Sequence, residues 1–216
     1  MRVLYHFPTS PFSRRTRLAL SHKGLPVELR DARATPSFLD EARTYSPLRT
    51  VPVLVDENGV ALADSTVIAH YLDAAYPSTR PLWPLGRDAH WMYETAALVD
   101  FALNTLVDLG SRYFELRDSP SWGKVTLEMV GRAQRALDAL GEIAERLEGG
   151  TVVASGWSAA DMWLLTATLW LEGLPERRGA NPNVAQILSL GWTLPPAMSQ
   201  WADPYRVMAD EFFRAG

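Results

Sequence analysis

The sequence predicts an α/β domain of order βαβαββα with a mixed sheet, followed by an all-helical region. Three observations predict it. Short β-branched and aromatic runs alternate with helical spacing as far as Ala75. Asp56-Glu57-Asn58-Gly59, a strong hairpin turn, separates two of those runs. From Ala89 onward the apolar spacing is helical, with one short candidate strand at Thr151 to Ala154.

Val3 to Phe7 has strand length and composition, and Pro8 breaks it. Thr9 and Ser10 place two hydroxyls just ahead of Pro11, which suits the first turn of a helix. Leu18, Ala19 and Leu20 give that helix an apolar face, and Gly24 stops it. Ser10 therefore lies where a strand ends and a helix begins, beside unpaired backbone N–H groups. It either caps the helix or stands in a place that favours an anion, with Arg14, Arg15 and Arg17 in the next turns.

Val27 to Ala32 follows through Pro26 as a second strand, parallel to the first. Phe38 to Tyr45 is a short helix. Val51-Pro52-Val53-Leu54-Val55 is a strand opening on a proline, and Val60 to Ala63 returns antiparallel. Asp64-Ser65 starts a helix with Val67, Ile68, Tyr71, Leu72 and Ala75 on one face.

Pro77 to Asp88 carries three prolines around Leu82, Trp83 and Leu85 and reads as a linker held by a few apolar contacts. The division is thus residues 1–77, a linker at 78–88, and a helical domain at 89–216. Ala89 to Leu116 is a long helix. Its Gly110 falls on the apolar face and lets another segment approach. Trp122 to Leu147 is a second helix, cut from the first by Asp118-Ser119-Pro120. Trp157 to Met162 reads as a variant capping box, Ser158 with Asp161, inside a Trp157–Met162 hydrophobic staple. The helix it opens, Ala159 to Leu171, is apolar nearly all round and belongs at the buried centre of the helical domain, so Asp161 is assigned to folding.

Composition excludes several classes. With a formal net charge of −4 and 21% charged residues, there is no basic surplus for general nucleic-acid binding. No cysteine is present, which excludes disulfides, thiolate metal sites and a protein thiol nucleophile, and is compatible with a reducing cytoplasm. The four histidines are scattered without metal-ligand spacing. A serine hydrolase would need a glycine-flanked nucleophile elbow, which Ser10 lacks and Ser155-Gly156 only half supplies. The N-terminus has no apolar run of signal-peptide kind, and the longest uncharged stretch, Gly179 to Ala202, is too polar and proline-broken to span a bilayer.

Four pieces stand in a telling order: Thr9-Ser10-Pro11-Phe12-Ser13 with the helix to Leu20, Val51-Pro52-Val53-Leu54, Asp64-Ser65 with Ile68 and Tyr71-Leu72, and Ser158 to Asp161. In this the whole chain resembles the glutathione transferase superfamily, its serine-type cytosolic bacterial members above all. The resemblance implies a thioredoxin-like first domain that binds glutathione as co-substrate, with no metal. Ser10 matches the activating hydroxyl. Pro52 matches a cis-proline whose isomer the sequence does not show, and which would turn the backbone of Val51 toward the tripeptide. Asp64-Ser65 matches the pair that receives the γ-glutamyl end, and capping is compatible with that role. Phe12, Arg49 and Thr50 complete the expected glutathione contacts.

On this reading the substrate thiol is the nucleophile. Lowering a thiol pKa from about 8.5 to about 6.5 takes roughly 2.7 kcal/mol. A hydroxyl hydrogen bond to a charged sulfur supplies about 1.5–3 kcal/mol, and a helix N-terminus up to about 2 kcal/mol. A small hydrophobic electrophile is expected between the domains, against Phe7, Pro8 and Phe12 and the first long helix, where Asn104, Asp108, Ser111, Arg112 and Tyr113 are candidate contacts. The resemblance also implies a cytoplasmic homodimer acting in detoxification, with no nucleic-acid or membrane partner. The chain departs from the family pattern at Ser46-Pro47, at Arg49-Thr50 and at Asp64, where glutamate is commoner, and Thr9 is a second hydroxyl that could share the role of Ser10. A glutathione-dependent isomerase of the maleylacetoacetate type, a dehalogenase and a non-catalytic binding protein are the alternative readings.

Overall fold

A computed structural model describes residues 1–87, 89–179 and 182–214. The α/β part runs β1 (Arg2–His6), α1 (Pro11–His22), β2 (Val27–Asp31), α2 (Pro36–Tyr45), β3 (Val53–Val55), β4 (Ala61–Ala63) and α3 (Ser65–Ala75). The helical part runs α4 (Ala89–Leu116), α5 (Trp122–Leu147), α6 (Ala159–Glu172), α7 (Pro182–Ser189), α8 (Pro196–Ala202) and α9 (Arg206–Arg214), with 3-10 turns at Pro175–Arg177 and Asp203–Tyr205. This is the thioredoxin-like sheet domain with a helical C-terminal region that the sequence predicts.

The strands lie in the order β2-β1-β3-β4. β1 pairs with β2 in parallel, as a strand–helix–strand crossover requires, and with β3 antiparallel. The Asp56–Gly59 turn joins β3 to β4, with the Gly59 N–H on the Asp56 carbonyl and Gly59 at φ 83°, a conformation glycine adopts at no steric cost. Alternation along the strands separates two faces. Tyr5, Val53 and Ala63 are aligned across the sheet and pack with Ala42 and Phe38 of α2. Leu4, Leu54 and Leu62 are aligned one residue on and point to the opposite face.

Asp56 is buried and ties the hairpin to α3. Its carboxylate accepts from Tyr71 Oη at 2.7 Å and Tyr76 Oη at 2.5 Å and pairs with Arg2 Nε at 3.0 Å. Burial pushes its pKa up, but the two tyrosines, the Glu57 N–H and Arg2 outweigh that and hold it below the usual value.

The chain falls into two compact units. The first takes Met1–Met92, Val152–Met162 and the segment from Val207; the second takes Tyr93–Thr151 and Trp163–Arg206. The stretch after α3 joins the first unit through Asp73, whose carboxylate accepts the N–H groups of Leu82 and Trp83 and the ammonium of Lys23. Leu82 and Trp83 are buried as expected. Leu85 is 93% exposed and holds nothing, because the carboxylate anchor acts before it. Asp88 lies outside the described residues.

Thr151 to Ala154 is not a strand. Val152 and Val153 are buried, and the Val152 N–H finds its acceptor in the Asp161 carboxylate, so no strand partner is needed. In the second unit a side chain at Gly110 would run into Ile187, which is the close approach the sequence predicts for that glycine.

Candidate active site

The sheet register gathers three chain ends. Tyr5, Val53 and Ala63 form one row, and the next residues beyond it are the end of β1, the Val51-Pro52 entry to β3 and the Asp64-Ser65 exit from β4. Two of these ends open helices, α1 and α3. The third is the Val51-Pro52 bond, which is cis. The β3 ladder starts at Val53, so half-buried Val51 stands ahead of it.

Ser10 is the N-cap of α1. It sits in extended backbone, and its Oγ accepts the Ser13 N–H at 3.3 Å. Its own N–H donates to Phe7, and its carbonyl accepts the Arg14 N–H. Capping is thus the use the fold makes of it. A hydroxyl has two acceptor lone pairs and one donor, however, and capping takes a lone pair. The Ser10 O–H has no acceptor among the described residues, and the side chain is half-buried.

Asp64 caps α3 through one oxygen. Its Oδ1 accepts from Thr66 N at 2.8 Å and Val67 N at 3.2 Å, while Oδ2 has no protein partner among the described residues. Its backbone is at φ 74°, which a non-glycine residue rarely adopts and which costs on the order of 1–3 kcal/mol unless the surroundings impose it. Ser65 is 1% exposed, and its Oγ accepts twice from Arg15, from Nε at 2.9 Å and Nη2 at 2.6 Å. Both lone pairs are engaged, so the Ser65 hydroxyl is left as a donor only. Donors converge here with the α3 N-terminus, a setting for a carboxylate.

The three arginines of α1 go to three places. Arg14 Nε donates to the Pro8 carbonyl at 2.9 Å, fixing the loop that carries Ser10. Arg15 is 1% exposed and links α1 to Ser65, with its guanidinium 4.9 Å from the Phe12 ring centroid. Arg17 reaches the Phe212 carbonyl of α9. The sequence reading groups all three around Ser10; helical geometry spreads them around α1. The Arg15–Ser65 link is the site contact the sequence does not predict, and the one available signal was the place of Arg15 five residues after Ser10.

Arg49 and Thr50 are exposed, and Arg49 is in the left-handed region at φ 56°. Phe7 and Pro8 are half-buried, Phe7 beneath the Arg33 guanidinium. Asn104, Asp108, Ser111, Arg112 and Tyr113 lie on α4 in the second unit. Asp108 and Arg112 pair at 2.7 Å, the Ser111 hydroxyl donates to the Asp108 carbonyl, and Tyr113 meets Phe114 and Trp122 edge-on. Among the described residues no cluster of three potential metal ligands occurs, and no helix is long and apolar enough to cross a membrane.

The sheet order, the cis-proline entry and the helix starts at one sheet end define a thioredoxin-like domain. The model of the glutathione S-transferase N-terminal domain matches residues 4–80. The probable glutathione S-transferase GSTU1 of Oryza sativa subsp. japonica is 31% identical over 175 residues, covering 78% of this chain and 73% of its own. The solved rice GST1 in complex with glutathione is 27% identical with a TM-score of 0.61, covering 94% of this chain and 84% of its own. A glutathione S-transferase from Methylobacterium radiotolerans, in complex with glutathione sulfonate, shares the fold with a TM-score of 0.70 at 21% identity over 99% of this chain and 93% of its own. The chain belongs to the glutathione S-transferase family, a family of transferase enzymes.

Proposed function

We propose that this chain joins glutathione to small hydrophobic electrophiles and that Ser10 keeps the glutathione sulfur charged for the attack. The observation that carries this is the spare hydroxyl proton of Ser10, which capping leaves without an acceptor. A thiolate is the strongest acceptor the reaction offers it. The α1 N-terminus adds the field of its backbone dipoles.

Residues 1–77 bind glutathione on this reading. Asp64 Oδ2 takes the γ-glutamyl ammonium, and Ser65 donates to the neighbouring carboxylate. Val51, freed from the ladder ahead of Val53, pairs through its backbone with the cysteinyl residue. Phe12, Arg49 and Thr50 meet the remainder of the tripeptide. Residues 89–216 supply the electrophile contacts Asn104, Asp108, Ser111, Arg112 and Tyr113, with Phe7 and Pro8 from the first domain. Family likeness supports a homodimer in the cytoplasm and a role in detoxification.

No protein base is required. Ser10 and the helix end together reach the roughly 2.7 kcal/mol that a shift of about two pKa units needs. Loss of the Ser10 hydroxyl in Ser10→Ala should lower turnover of chlorodinitrobenzene by about ten- to a hundredfold, with retention on immobilised glutathione nearly kept. Ser65→Ala should weaken retention instead. Equal turnover in Ser10→Ala would move the activating role to Thr9 or elsewhere. Turnover of maleylacetoacetate in place of chlorodinitrobenzene would assign the isomerase reading, and retention without either turnover the binding-protein reading.

A further inference from the structure

At the opposite end of α1 from Ser10, the first unit holds a cavity of about 460 Å³. It is lined by His22, by Arg80, Pro81 and Pro84 of the segment after α3, and by Ser155 and Trp157 of the α5–α6 connection. A 12-residue helix is about 18 Å long, so the cavity and the α1 N-terminus are well apart. None of its lining residues belongs to the proposed glutathione or electrophile contacts.

Its polar groups are donors. The Arg80 carbonyl accepts Lys23 Nζ at 3.1 Å, which fixes the backbone there, while the exposed Arg80 guanidinium has no ion pair or hydrogen bond among the described residues. The Ser155 hydroxyl is exposed and equally uncommitted among them. Half-buried His22 donates from its ring to the Pro81 carbonyl, which leaves its second ring nitrogen over. No carboxylate lines the cavity. Asp73, the acidic group whose charge His22 feels, is taken up by Lys23 and by the N–H groups of Leu82 and Trp83. Trp157 and the two prolines supply flat apolar wall.

A guanidinium fork, a hydroxyl and an imidazole are three kinds of donor that suit the three terminal oxygens of a phosphate monoester, where a carboxylate has only two. An indole with prolines suits an aromatic body. We propose that this cavity binds an aryl phosphate, its phosphate on Arg80, Ser155 and His22 and its ring against Trp157, Pro81 and Pro84. The proposal stands independently of the transferase reading.

Binding should carry a proton with it. Without ligand, burial first, then Arg80 and Lys23, lower the His22 pKa against the Pro81 carbonyl and Asp73. Those are the charged groups that act on the ring, Arg80 from the linker, Lys23 from α1 and Asp73 from α3; Ser155 and Trp157 bring no charge. A phosphate dianion beside the ring favours its charged form, so near pH 7 the second nitrogen takes a proton from the buffer and becomes a donor.

Isothermal titration calorimetry of the full chain with phenyl phosphate tests this, run with and without saturating S-hexylglutathione, a conjugate that occupies both the proposed glutathione site and the electrophile space. The wild type should bind phenyl phosphate at one site in either condition, and phenol or inorganic phosphate at least about tenfold more weakly. Arg80→Gln, a change on an exposed side chain, should lose about tenfold or more in affinity for phenyl phosphate. At pH 7.5 the binding enthalpy of the wild type should vary with the ionisation enthalpy of the buffer, reporting proton uptake, and His22→Gln should remove that variation. The proposal is overturned if folded wild type does not bind phenyl phosphate, if Arg80→Gln binds it unchanged, if His22→Gln keeps the buffer dependence, or if S-hexylglutathione displaces it. The last result would put the ligand in the glutathione or electrophile site. Because the titration is also run without the conjugate, failure here leaves the transferase reading to its own tests.

Discussion

Two helix starts in this molecule use the same pair of residue types and end in different states. At α3, Asp64 caps with one oxygen and keeps the other without a protein partner, and buried Ser65 is left only a donor to offer. At α6, Asp161 has both oxygens engaged: Oδ1 accepts the Val152 N–H at 2.8 Å, and Oδ2 accepts the Ser158 N–H at 2.9 Å and hydroxyl at 2.7 Å. The expected capping box is present at α6 in its carboxylate half, with the Ser158 hydroxyl turned onto the carboxylate. One start has hydrogen-bonding capacity to give a ligand, and the other has been closed by its own loop. On the proposed reading, unused valence at a cap, more than residue type, separates a binding site from a staple.

The largest effect expected from that contrast is on stability. Asp161→Ala should cost about 3–5 kcal/mol in urea unfolding, because it orphans buried donors at Val152 and Ser158. Glutathione affinity of the folded fraction should stay as it was. A mild cost would mean that the loop repacks and that the carboxylate is not its anchor. Burial raises the Asp161 pKa against the pull of its three donors, so the carboxylate is tolerated there only because those donors are present.

His6 is buried, and its ring nitrogens have no hydrogen-bond partner among the described residues. His6 titrates at about 4 in the folded chain against about 6.5 when unfolded. Between those values the unfolded state binds more protons, so stability is full above pH 6.5 and falls as the pH drops toward 4. The loss is on the order of 3 kcal/mol. His6→Leu should flatten this part of the stability–pH curve relative to wild type. An unchanged slope would show that other groups set it.

The smallest effect isolates charge from capping. Asn caps as well as Asp, so Asp64→Asn should shift the melting transition by less than about 1 kcal/mol. It removes the charge offered to an ammonium and should weaken glutathione binding about tenfold by calorimetry. The same change at Asp161 should do the reverse, destabilising the fold and sparing affinity. If both positions respond alike, spare valence does not distinguish them.

The order of elements was legible because strand and helix periods alternate cleanly from Val3 to Ala75, and the Asp56–Gly59 turn fixes the hairpin register. Ser10 and Asp64-Ser65 were legible as helix starts for the same reason. What they bond to was less so. Arg15 and Ser65 are 50 residues apart, and Arg17 reaches Phe212 across 195, so no local pattern announces either contact. Val152 and Val153 read as strand because β-branched residues favour strands, but burial and a carboxylate acceptor serve them without one.

In the proposed chemistry the Ser10 hydroxyl holds a thiolate, and ultraviolet titration of bound glutathione reads that state directly. Wild type should show the thiolate absorbance rising with a midpoint near pH 6.5, and Ser10→Ala should move it toward the free-thiol value of about 8.5. A Ser10→Ala protein that binds glutathione and titrates at the wild-type midpoint would contradict it.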